Sequence, residues 1–414
     1  MSKPSPAPWM WIDATQPAAG WRLWGMNLVE RLLREGARRG LTKAIIVVSA
    51  QSVAGVKQLR RDLHHLFDVD LHFIDESSST HLPEQFTDGN CESLLILEGD
   101  VVHDDRVLEH LIDAGPGHAV EGAEAVAAHL STEQLPLLMA DPDKRQATDL
   151  PGVEITELAQ LGHYVADLRL TMVPFLIRVM EESQLRQVDR LLFHRTFKGV
   201  IDAIARYGYY HFVRWTTRWL SCTTMSPNLL TVFSILGIWA AIPCFATGQI
   251  GWGVLSAWLG VILDSVDGKL ARLTVNLSDT MGAIEHASAM PGLGLWFVGL
   301  GWHLSGGELL SGSAISISFC ILLGTFLADK VLTEAFKKRF GSELFDFRPV
   351  DAAFHLFAAR RNVHLLLLTL GAAVGAVADA YQWMAAGMVA SFLFHAVRFV
   401  WIALSVPGRA AKGD

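Results

Sequence analysis

Cysteine is scarce in this chain, and no two cysteines lie close together. The 414 residues contain four, Cys91, Cys222, Cys244 and Cys320, and none of them forms a pair separated by two residues. This spacing favours neither a zinc site nor a disulfide framework. Positive charge is also limited, since 34 Lys and Arg face 42 Asp and Glu and the net charge is −8. A negative balance argues against general nucleic-acid binding, so we predict no nucleic-acid partner.

Long apolar runs are largely confined to the second half of the chain. The sequence is 51% hydrophobic with a mean hydropathy of +0.31, yet 18% of its residues are charged. Most of the charge lies in residues 1–225, and the apolar runs lie in 226–406. We therefore predict a cytosolic domain (1–185), a linker with an interfacial helix (186–225) and a membrane domain (226–414). The first residues lead into a short apolar strand, not into the core of a signal peptide.

The first half alternates between short apolar runs and amphipathic stretches. Runs of strand length occupy 9–13, 44–49, 69–74 and 93–97, and 26–39 places Leu28, Leu32 and Leu33 on one helical face. Such alternation predicts an α/β domain around a mostly parallel sheet, in the Rossmann-like class.

The second half contains six stretches of spanning length, because a membrane helix needs about 20 apolar residues. They are 228–247, 250–267, 281–303, 309–329, 362–380 and 383–405. The connections near Gly248, Gly306 and Ala380 carry no Lys or Arg, whereas the opposite connections are basic. The positive-inside rule then places both termini on the cytoplasmic side of the inner membrane.

A stretch that mixes aromatic and basic residues precedes the first predicted span. Residues 195–220 read RTFKGVIDAIARYGYYHFVRWTTRWL. This pattern predicts an amphipathic helix lying in the headgroup layer of a bilayer. The alternative is a soluble linker helix that packs against a domain.

Two acids close the second apolar run, where charge is costly. Residues 264–272 read DSVDGKLAR, and on a helix 264, 267, 268 and 271 share one face. That face presents Asp264 and Asp267 followed by Gly268 and Ala271. Paired carboxylates suit a hard divalent cation such as Mg²⁺ or Mn²⁺, and small residues allow a bulky ligand to approach the backbone.

This string resembles the signature of the CDP-alcohol phosphotransferase family, D-x-x-D-G-x-x-A-R, at every fixed position. In the family, eight residues and then G-x-x-x-D-x-x-x-D follow. Here Met281 stands at the glycine position, Glu285 at that of the third aspartate and Ala289 at that of the fourth. With one inserted residue Gly282 matches, but His286 and Met290 take the acidic positions. We prefer the ungapped alignment, because Glu285 then completes a divalent site.

The resemblance implies a membrane enzyme in which a hydroxyl attacks the β-phosphate of a CDP-alcohol and CMP leaves. Asp264, Asp267 and Glu285 would hold Mg²⁺ or Mn²⁺. The fourth aspartate is the family's proposed base, so His286 is our candidate in its place and Asp279 is a weaker one. The residues expected to bind substrate are Gly268, Lys269, Ala271, Arg272, Gly282 and Arg361.

The partners implied are a CDP-linked lipid or alcohol donor, a hydroxyl acceptor and membrane lipid, with a homodimer by analogy. Lys330, Arg360 and Arg361 are also candidates for binding an anionic headgroup or a phosphate on the acceptor. The setting implied is phospholipid or related polar-lipid synthesis.

The first half is similar to sugar-nucleotide and MobA-like nucleotidyltransferase domains. The similarity rests on Ala18-Ala19-Gly20-Trp21-Arg22 and on Leu97-Glu98-Gly99-Asp100. It implies a loop that cradles phosphates and a metal at Asp100. Only Gly20 and Gly25 are present in the loop, so a degenerate domain kept for docking or regulation is the alternative.

Two other hypotheses concern the whole chain. One is a catalytically inactive membrane protein of the same fold that binds CDP-lipid or nucleotide. The other is a transporter, against which the short loops and the single acidic cluster argue, because no broken helices recur in matching halves.

Overall fold

The protein is described here by a computed structural model that covers residues 7–59, 70–75, 92–134, 147–165, 170–197 and 199–405. Cys91 and Val69 lie outside these residues. The chain divides into two compact units. Unit 1 comprises Met1–Thr196, Ser221–Thr223 and Arg272–Asn276, and unit 2 comprises Phe197–Leu220, Thr224–Ala271 and Leu277–Asp414.

Unit 1 contains the strands of the molecule. In chain order they are β1 (Trp9–Ala14), β2 (Arg22–Leu23), β3 (Met26–Asn27), β4 (Lys43–Val48), β5 (Asp70–Asp75), β6 (Ser93–Glu98), β7 (Val101–His103), β8 (His118–Glu121), β9 (Val126–Ser131), β10 (Glu154–Glu157), β11 (Tyr164–Val165), β12 (Leu170–Thr171) and β13 (Leu176–Arg178). Seven of them form the main sheet in the order β10-β8-β9-β6-β1-β4-β5. The others pair as β2-β3, β7-β13 and β11-β12.

The main sheet is mostly parallel, as predicted. Strand β1 pairs in parallel with β4 and β6, β4 with β5, and β8 with β10, whereas β9 is antiparallel to both β6 and β8. Residues of β1 alternate between two buried clusters: Met10 and Ile12 join one, Trp9 and Trp11 the other. Because both faces of this strand are covered, it reads as a continuous apolar run.

In the described part of unit 1, four α-helices accompany the sheet: α1 (Leu28–Ala37), α2 (Val53–Val56), α3 (Asp105–Ala114) and α4 (Glu182–His194). Helix α1 begins where Asn27 caps it, since the Asn27 side chain accepts a hydrogen bond of 2.7 Å from Glu30 N. Its apolar face, which includes Leu32 and Leu33, joins the cluster around Met10. The predicted helix at 26–39 is therefore present, with shorter ends.

Unit 2 is helical. A π-helix (Ile204–Gly208) is followed by α5 (Tyr210–Ser221), α6 (Pro227–Ala246), α7 (Ile250–Leu273), α8 (Asp279–Leu304), α9 (Ala314–Phe340), α10 (Pro349–His355), α11 (Arg361–Ala373) and α12 (Val377–Ser405). Among the described residues, four helices are long and apolar enough to cross a membrane, namely α6, α7, α9 and α12. These four indicate an integral membrane protein; a count of six spans stays a prediction.

The fifth predicted span differs from the structure. Helix α11 has 13 residues and ends at Ala373, whereas the apolar pattern continued to residue 380. Gly375 adopts φ of 73°, in the left-handed region that commonly ends a helix, and α12 begins at Val377. The apolar pattern did not reveal this break, because Val374 and Ala376 flank the glycine and keep the run apolar.

The stretch predicted as one amphipathic helix at 195–220 is divided into the π-helix and α5. In α5, Val213 and Leu220 pack in a buried cluster with Val266 and Leu270 of α7. Its opposite face exposes three aromatic residues, Phe212, Trp215 and Trp219. The helix is thus amphipathic.

Helices α6 and α7 touch through their backbones at Gly237 and Gly260. A Cβ atom on Gly237 would lie 2.9 Å from Gly260 Cα, and a Cβ atom on Gly260 would lie 2.7 Å from Ile238 N. Serine hydroxyls bond across the contact, with Ser234 Oγ donating to Gly260 O (3.0 Å) and Ser256 Oγ donating to Gly237 O (2.9 Å). Small residues permit such close helix packing in membranes, and here they fix the position of α7.

Candidate functional site

The two acids of the motif lie in the second half of α7. Asp267 is 2% exposed, and one of its oxygens has no hydrogen-bond partner among the described residues. The other oxygen accepts from Gly268 N. Asp264, one helical turn earlier, is less deeply buried. A buried carboxylate oxygen without a partner is costly, so it marks a position where a ligand is expected.

An arginine from a distant part of the chain meets the first acid. Arg361 begins α11, and its Nη2 lies 2.5 Å from Asp264 Oδ2. The sequence identified Arg361 as a substrate-binding candidate, and the structure brings it to the motif. Asp264 and Arg361 thus place opposite charges side by side.

Helix α8 supplies Glu285. Ser278 caps this helix and accepts from Met281 N at 3.3 Å. The half-buried Glu285 lies close enough to Asp267 and Arg361 for their charges to interact. The structure therefore brings Asp264, Asp267, Glu285 and Arg361 into one electrostatic cluster.

His286 is placed differently from Glu285. It is exposed, and no described residue forms a hydrogen bond or ion pair with it. A candidate base must reach the proton that it removes, and the described structure does not show His286 in contact with the acids.

The donor set matches a hard divalent cation. Asp264, Asp267 and Glu285 offer carboxylate oxygens, which Mg²⁺ and Mn²⁺ prefer, and Asp267 keeps a buried oxygen for a ligand. Within the described part of the chain, no three His, Cys, Asp or Glu side chains converge as a complete metal site. The three side chains are of a type that binds a divalent metal ion. One of them, Asp264, forms an ion pair with Arg361 in this structure.

The other predicted binding residues lie on α7 and α8. Ala271 is buried, while Gly268, Arg272 and Gly282 are half-buried, and Gly282 has open space beside its Cα. Lys269 donates to Ser265 O at 3.2 Å, and its ammonium lies 4.6 Å from the centre of the Phe197 ring. Lys269 therefore contacts its own helix and an aromatic face.

Sequence reasoning missed a hydrogen-bonded group beside the motif. Tyr209, Asn362 and Asp202 are linked to one another, and Tyr209 contacts Ser265. Two signals pointed there: Ser265 lies between the motif acids, and Asn362 follows Arg361. Tyr209 itself could not be identified, because the aromatic and basic residues around it in the sequence indicated only a helix at the membrane surface.

In unit 1, Asp100 already has a cationic partner. Arg178 Nη1 lies 3.0 and 3.3 Å from the two oxygens of Asp100, and its Nη2 lies 2.6 Å from Glu98 Oε1. Burial raises the pKa of the Asp100 carboxyl, and the Arg178 guanidinium opposes this rise. The acid expected to hold a metal is thus paired with arginine.

The loop predicted to cradle phosphates is packed against backbone. A Cβ atom on Gly20 would lie 2.8 Å from Gly55 Cα. With Asp100 paired to Arg178 as well, both features favour the alternative of a degenerate nucleotidyltransferase-like domain.

Comparison with known proteins bears on the motif region. Residues 224–303 match the family model of CDP-alcohol phosphatidyltransferases. The C-terminal region therefore contains a domain of this family. The phosphatidylinositol phosphate synthase of Mycobacteroides abscessus is 28% identical over 85 residues, which are 19% of this chain and 38% of that protein. The chain thus aligns with well under half the length of this curated relative.

Solved structures give weaker likenesses. The phosphatidylinositol phosphate synthase of Mycobacterium tuberculosis with CDP-DAG bound has a TM-score of 0.35 at 17% identity, covering 46% of this chain and 94% of that chain. The same synthase with manganese and citrate has the same score and identity, covering 49% and 93%. The 4-diphosphocytidyl-2C-methyl-D-erythritol synthase of Anaerococcus prevotii has a TM-score of 0.32 at 11% identity, covering 45% and 98%.

Proposed function

We propose that this protein transfers a phospho-alcohol group of the phosphatidyl type from a CDP-alcohol to a hydroxyl acceptor and releases CMP. The reaction depends on Mg²⁺ or Mn²⁺ and serves phospholipid or related polar-lipid synthesis. The observation that carries the proposal is the pair Asp264 and Asp267 on one face of α7, inside the segment that matches the family model.

In this proposal the acids bind the metal ion, and Arg361 binds a phosphate of the donor. Asp264, Asp267 and Glu285 would hold the cation, which when bound would supply positive charge to the pyrophosphate and to the departing CMP. Arg361, already beside Asp264, offers a planar guanidinium that can bind a phosphate through two parallel hydrogen bonds. Gly268, Ala271 and Gly282 leave room for the nucleotide, and Lys269 and Arg272 add positive charge on the same helix.

The acceptor reacts through its hydroxyl. Its oxygen forms a bond to the β-phosphorus, the bond from that phosphorus to the bridging oxygen breaks, and the electron pair leaves with CMP. The hydroxyl proton passes to an imidazole nitrogen of His286. A neutral imidazole suits this step, because one of its ring nitrogens has a free lone pair that can accept a proton.

The membrane arrangement belongs to the same proposal. Helices α6, α7, α8, α9, α11 and α12 form six spans of the inner membrane, with both termini and the motif on the cytoplasmic side. The exposed aromatic face of α5 lies in the headgroup layer beside Arg214 and Arg218, where the domain meets membrane lipid. The protein works there with a CDP-linked donor, a hydroxyl acceptor and, by analogy, a second copy of itself.

The reverse reaction tests the function without a guess about the acceptor. Purified protein is incubated with labelled CMP, Mg²⁺ or Mn²⁺ and a total lipid extract. We expect label in a CDP-alcohol with the wild type and none with Asp267→Asn, which removes a metal-binding charge. Asp379→Asn, at an exposed acid in the first turn of α12, is the matched control and should behave as the wild type.

A non-catalytic protein that binds CDP-lipid or nucleotide is the second candidate. It is favoured by Ala289 at the position of the fourth aspartate and by the lack of three converging ligands in the described residues. Metal-dependent CMP binding by a wild type that transfers no label would establish this alternative and overturn the enzyme.

A further inference from the structure

Tyr209 contacts both α7 and α11, the two helices that carry the ion pair between Asp264 and Arg361. Its hydroxyl lies 3.3 Å from Ser265 Oγ on α7 and accepts a hydrogen bond of 3.0 Å from Asn362 Nδ2 on α11. Ser265 follows Asp264 in the chain, and Asn362 follows Arg361. The ion pair between Asp264 and Arg361 therefore has a second bridge beside it, and Tyr209 is the middle of that bridge.

The side chain of Asn362 connects Tyr209 to Asp202 through two hydrogen bonds. Asn362 Nδ2 carries two hydrogens, one of which goes to Asp202 Oδ2 (2.7 Å) and the other to Tyr209. The Tyr209 oxygen accepts there, and either hydroxyl can be the donor in its contact with Ser265 Oγ. A chain of polar contacts thus runs from Asp202 through Asn362 and Tyr209 to Ser265.

The groups of the bridge are shielded from water. Asp202 is 4% exposed and Asn362 is 7% exposed. The Tyr209 ring lies edge-on to Trp258 of α7, with centroids 6.3 Å apart, and Trp258 Nε1 donates to Thr369 Oγ1 of α11 at 2.9 Å. Burial raises the pKa of the Tyr209 phenol, so the hydroxyl keeps its hydrogen at neutral pH. Asn362 uses both amide hydrogens in this bridge, while its buried Oδ1 has no hydrogen-bond partner among the described residues. Buried hydrogen bonds of this kind favour one arrangement of the helices that carry them.

The backbone leading to Tyr209 has an uncommon form. Residues Ile204–Gly208 form a π-helix, and Asp202 Oδ1 accepts from Ala205 N at 2.9 Å in its first turn. The last residue of the π-helix comes directly before Tyr209. Single π-turns are frequent at functional sites, since the extra residue re-aims the side chain that follows.

We propose that Tyr209 is a positioning residue that sets the separation of Asp264 and Arg361 through Ser265 and Asn362. The proposal rests on the function proposed above, because it assigns Tyr209 to the site that holds the metal and the pyrophosphate. Without the hydroxyl, α7 and α11 lose one of their cross-links, and the acid and the guanidinium no longer keep one fixed spacing. Both the affinity for the cation and the turnover should then fall.

The test compares Tyr209→Phe, Ser265→Ala and the double variant. Tyr209→Phe keeps the ring against Trp258 and removes only the hydroxyl. Each single variant should weaken Mn²⁺ binding, followed by electron paramagnetic resonance, and slow CMP exchange, each by about tenfold. The double variant should lose no more than either single one, because all three break the same link. Tyr207→Phe, at an exposed tyrosine in the π-helix, is the matched control and should match the wild type.

Unchanged binding and exchange in Tyr209→Phe, or additive losses in the double variant, would overturn the proposal. If Tyr209→Phe does not fold, Ser265→Thr decides, because threonine keeps the hydroxyl. Recovery in Ser265→Thr relative to Ser265→Ala supports the bridge, and equal losses in both overturn it.

Mn²⁺ binding needs no turnover, so the two proposals fail separately. A wild type that binds Mn²⁺ and exchanges no CMP contradicts the enzyme, and the binding comparison still decides the role of Tyr209. A wild type that exchanges CMP beside a Tyr209→Phe variant with wild-type binding and kinetics contradicts the role of Tyr209 alone.

Discussion

Arg361 and Asp264 are 97 residues apart in the chain, yet their side chains form an ion pair with Nη2 and Oδ2 2.5 Å apart. The contact joins the start of α11 to the motif helix α7. It places a guanidinium beside Asp264 and within electrostatic reach of Glu285, where it offsets part of the negative charge that a bound phosphate would meet.

Arg361 should be sensitive to both its charge and its shape. Arg361→Gln removes the guanidinium that offsets the carboxylates of Asp264, Asp267 and Glu285, so the affinity for CMP should fall by about tenfold or more. Arg361→Lys keeps the charge but loses the planar fork, and it should lie between the glutamine variant and the wild type. Isothermal titration with CMP and Mg²⁺ measures this order.

The control for this series is Arg339→Gln, at an exposed arginine in the last turn of α9. It removes the same charge away from the motif and should bind CMP as the wild type does. Equal affinities for Arg361→Gln and the wild type would remove Arg361 from the site.

Replacement of His286 should separate turnover from binding. His286→Ala removes the proposed base, so exchange should slow by about a hundredfold or more while CMP affinity changes little. Initial rates and equilibrium binding on the same preparation measure both quantities. His211→Ala, at an exposed histidine of α5, is the control. If exchange is as fast in His286→Ala as in the wild type, another group takes the proton.

Arg178 should stabilise unit 1 by neutralising Glu98 and Asp100. In Arg178→Ala, Glu98 and Asp100 lose their cationic partner. The free energy of opening of the β6 amides, measured by hydrogen exchange, should therefore fall by about 2 kcal/mol. Millimolar Mg²⁺ should restore part of this loss by replacing the guanidinium, and it should leave the wild type unchanged.

The comparison variant is Arg186→Ala on α4, which breaks an exposed ion pair with Glu182. Such a pair contributes about 0–1 kcal/mol, so β6 should be unaffected. Mg²⁺ that protected wild-type β6 would instead indicate a metal at Asp100 and revive an active nucleotidyltransferase.

Acid should weaken unit 1 through His103. Its Nδ1 donates to Val101 O at 3.1 Å, and burial lowers its pKa to about 4. The unfolded histidine therefore binds a proton at a higher pH than the folded one, so the contribution to stability is full above pH 6.5 and is lost as the pH falls toward 4. The difference corresponds to roughly 3 kcal/mol.

Hydrogen exchange of β7 amides between pH 7 and pH 4.5, corrected for intrinsic rates, measures this loss. His103→Asn keeps a donor without titrating and should flatten the pH dependence, whereas His163→Asn, at an exposed histidine, should not. A wild type and a His103→Asn variant with the same pH dependence would contradict the assignment.

The local pattern of apolar and charged residues was enough to predict the main strands of unit 1 and the position of the motif on a helix of unit 2. The apolar runs at 9–13, 44–49 and 93–97 correspond to β1, β4 and β6, because buried parallel strands are apolar throughout. The spacing of Asp264 and Asp267 placed them on one helical face, since i and i+3 positions are neighbours. The match of 224–303 to the family model confirmed the resemblance based on that motif.

The sequence did not reveal which residues distant in the chain form ion pairs with one another. Arg361 was a candidate by charge, but nothing in its neighbourhood identified Asp264 as its partner. Arg178 was unsuspected, because it lies in the short strand β13, far along the chain from Asp100. The strands β8 and β9 were missed as well, since they have four and six residues and carry His118 and His129 among their apolar positions.

The glycine contact between α6 and α7 limits how a lipid can reach the acids. With backbone against backbone at Gly237 and Gly260, and a serine hydroxyl bonded across on each side, this hairpin has no slack for sliding or rotation. A molecule that enters between helices to reach Asp264 therefore has to pass along a boundary other than the contact between α6 and α7.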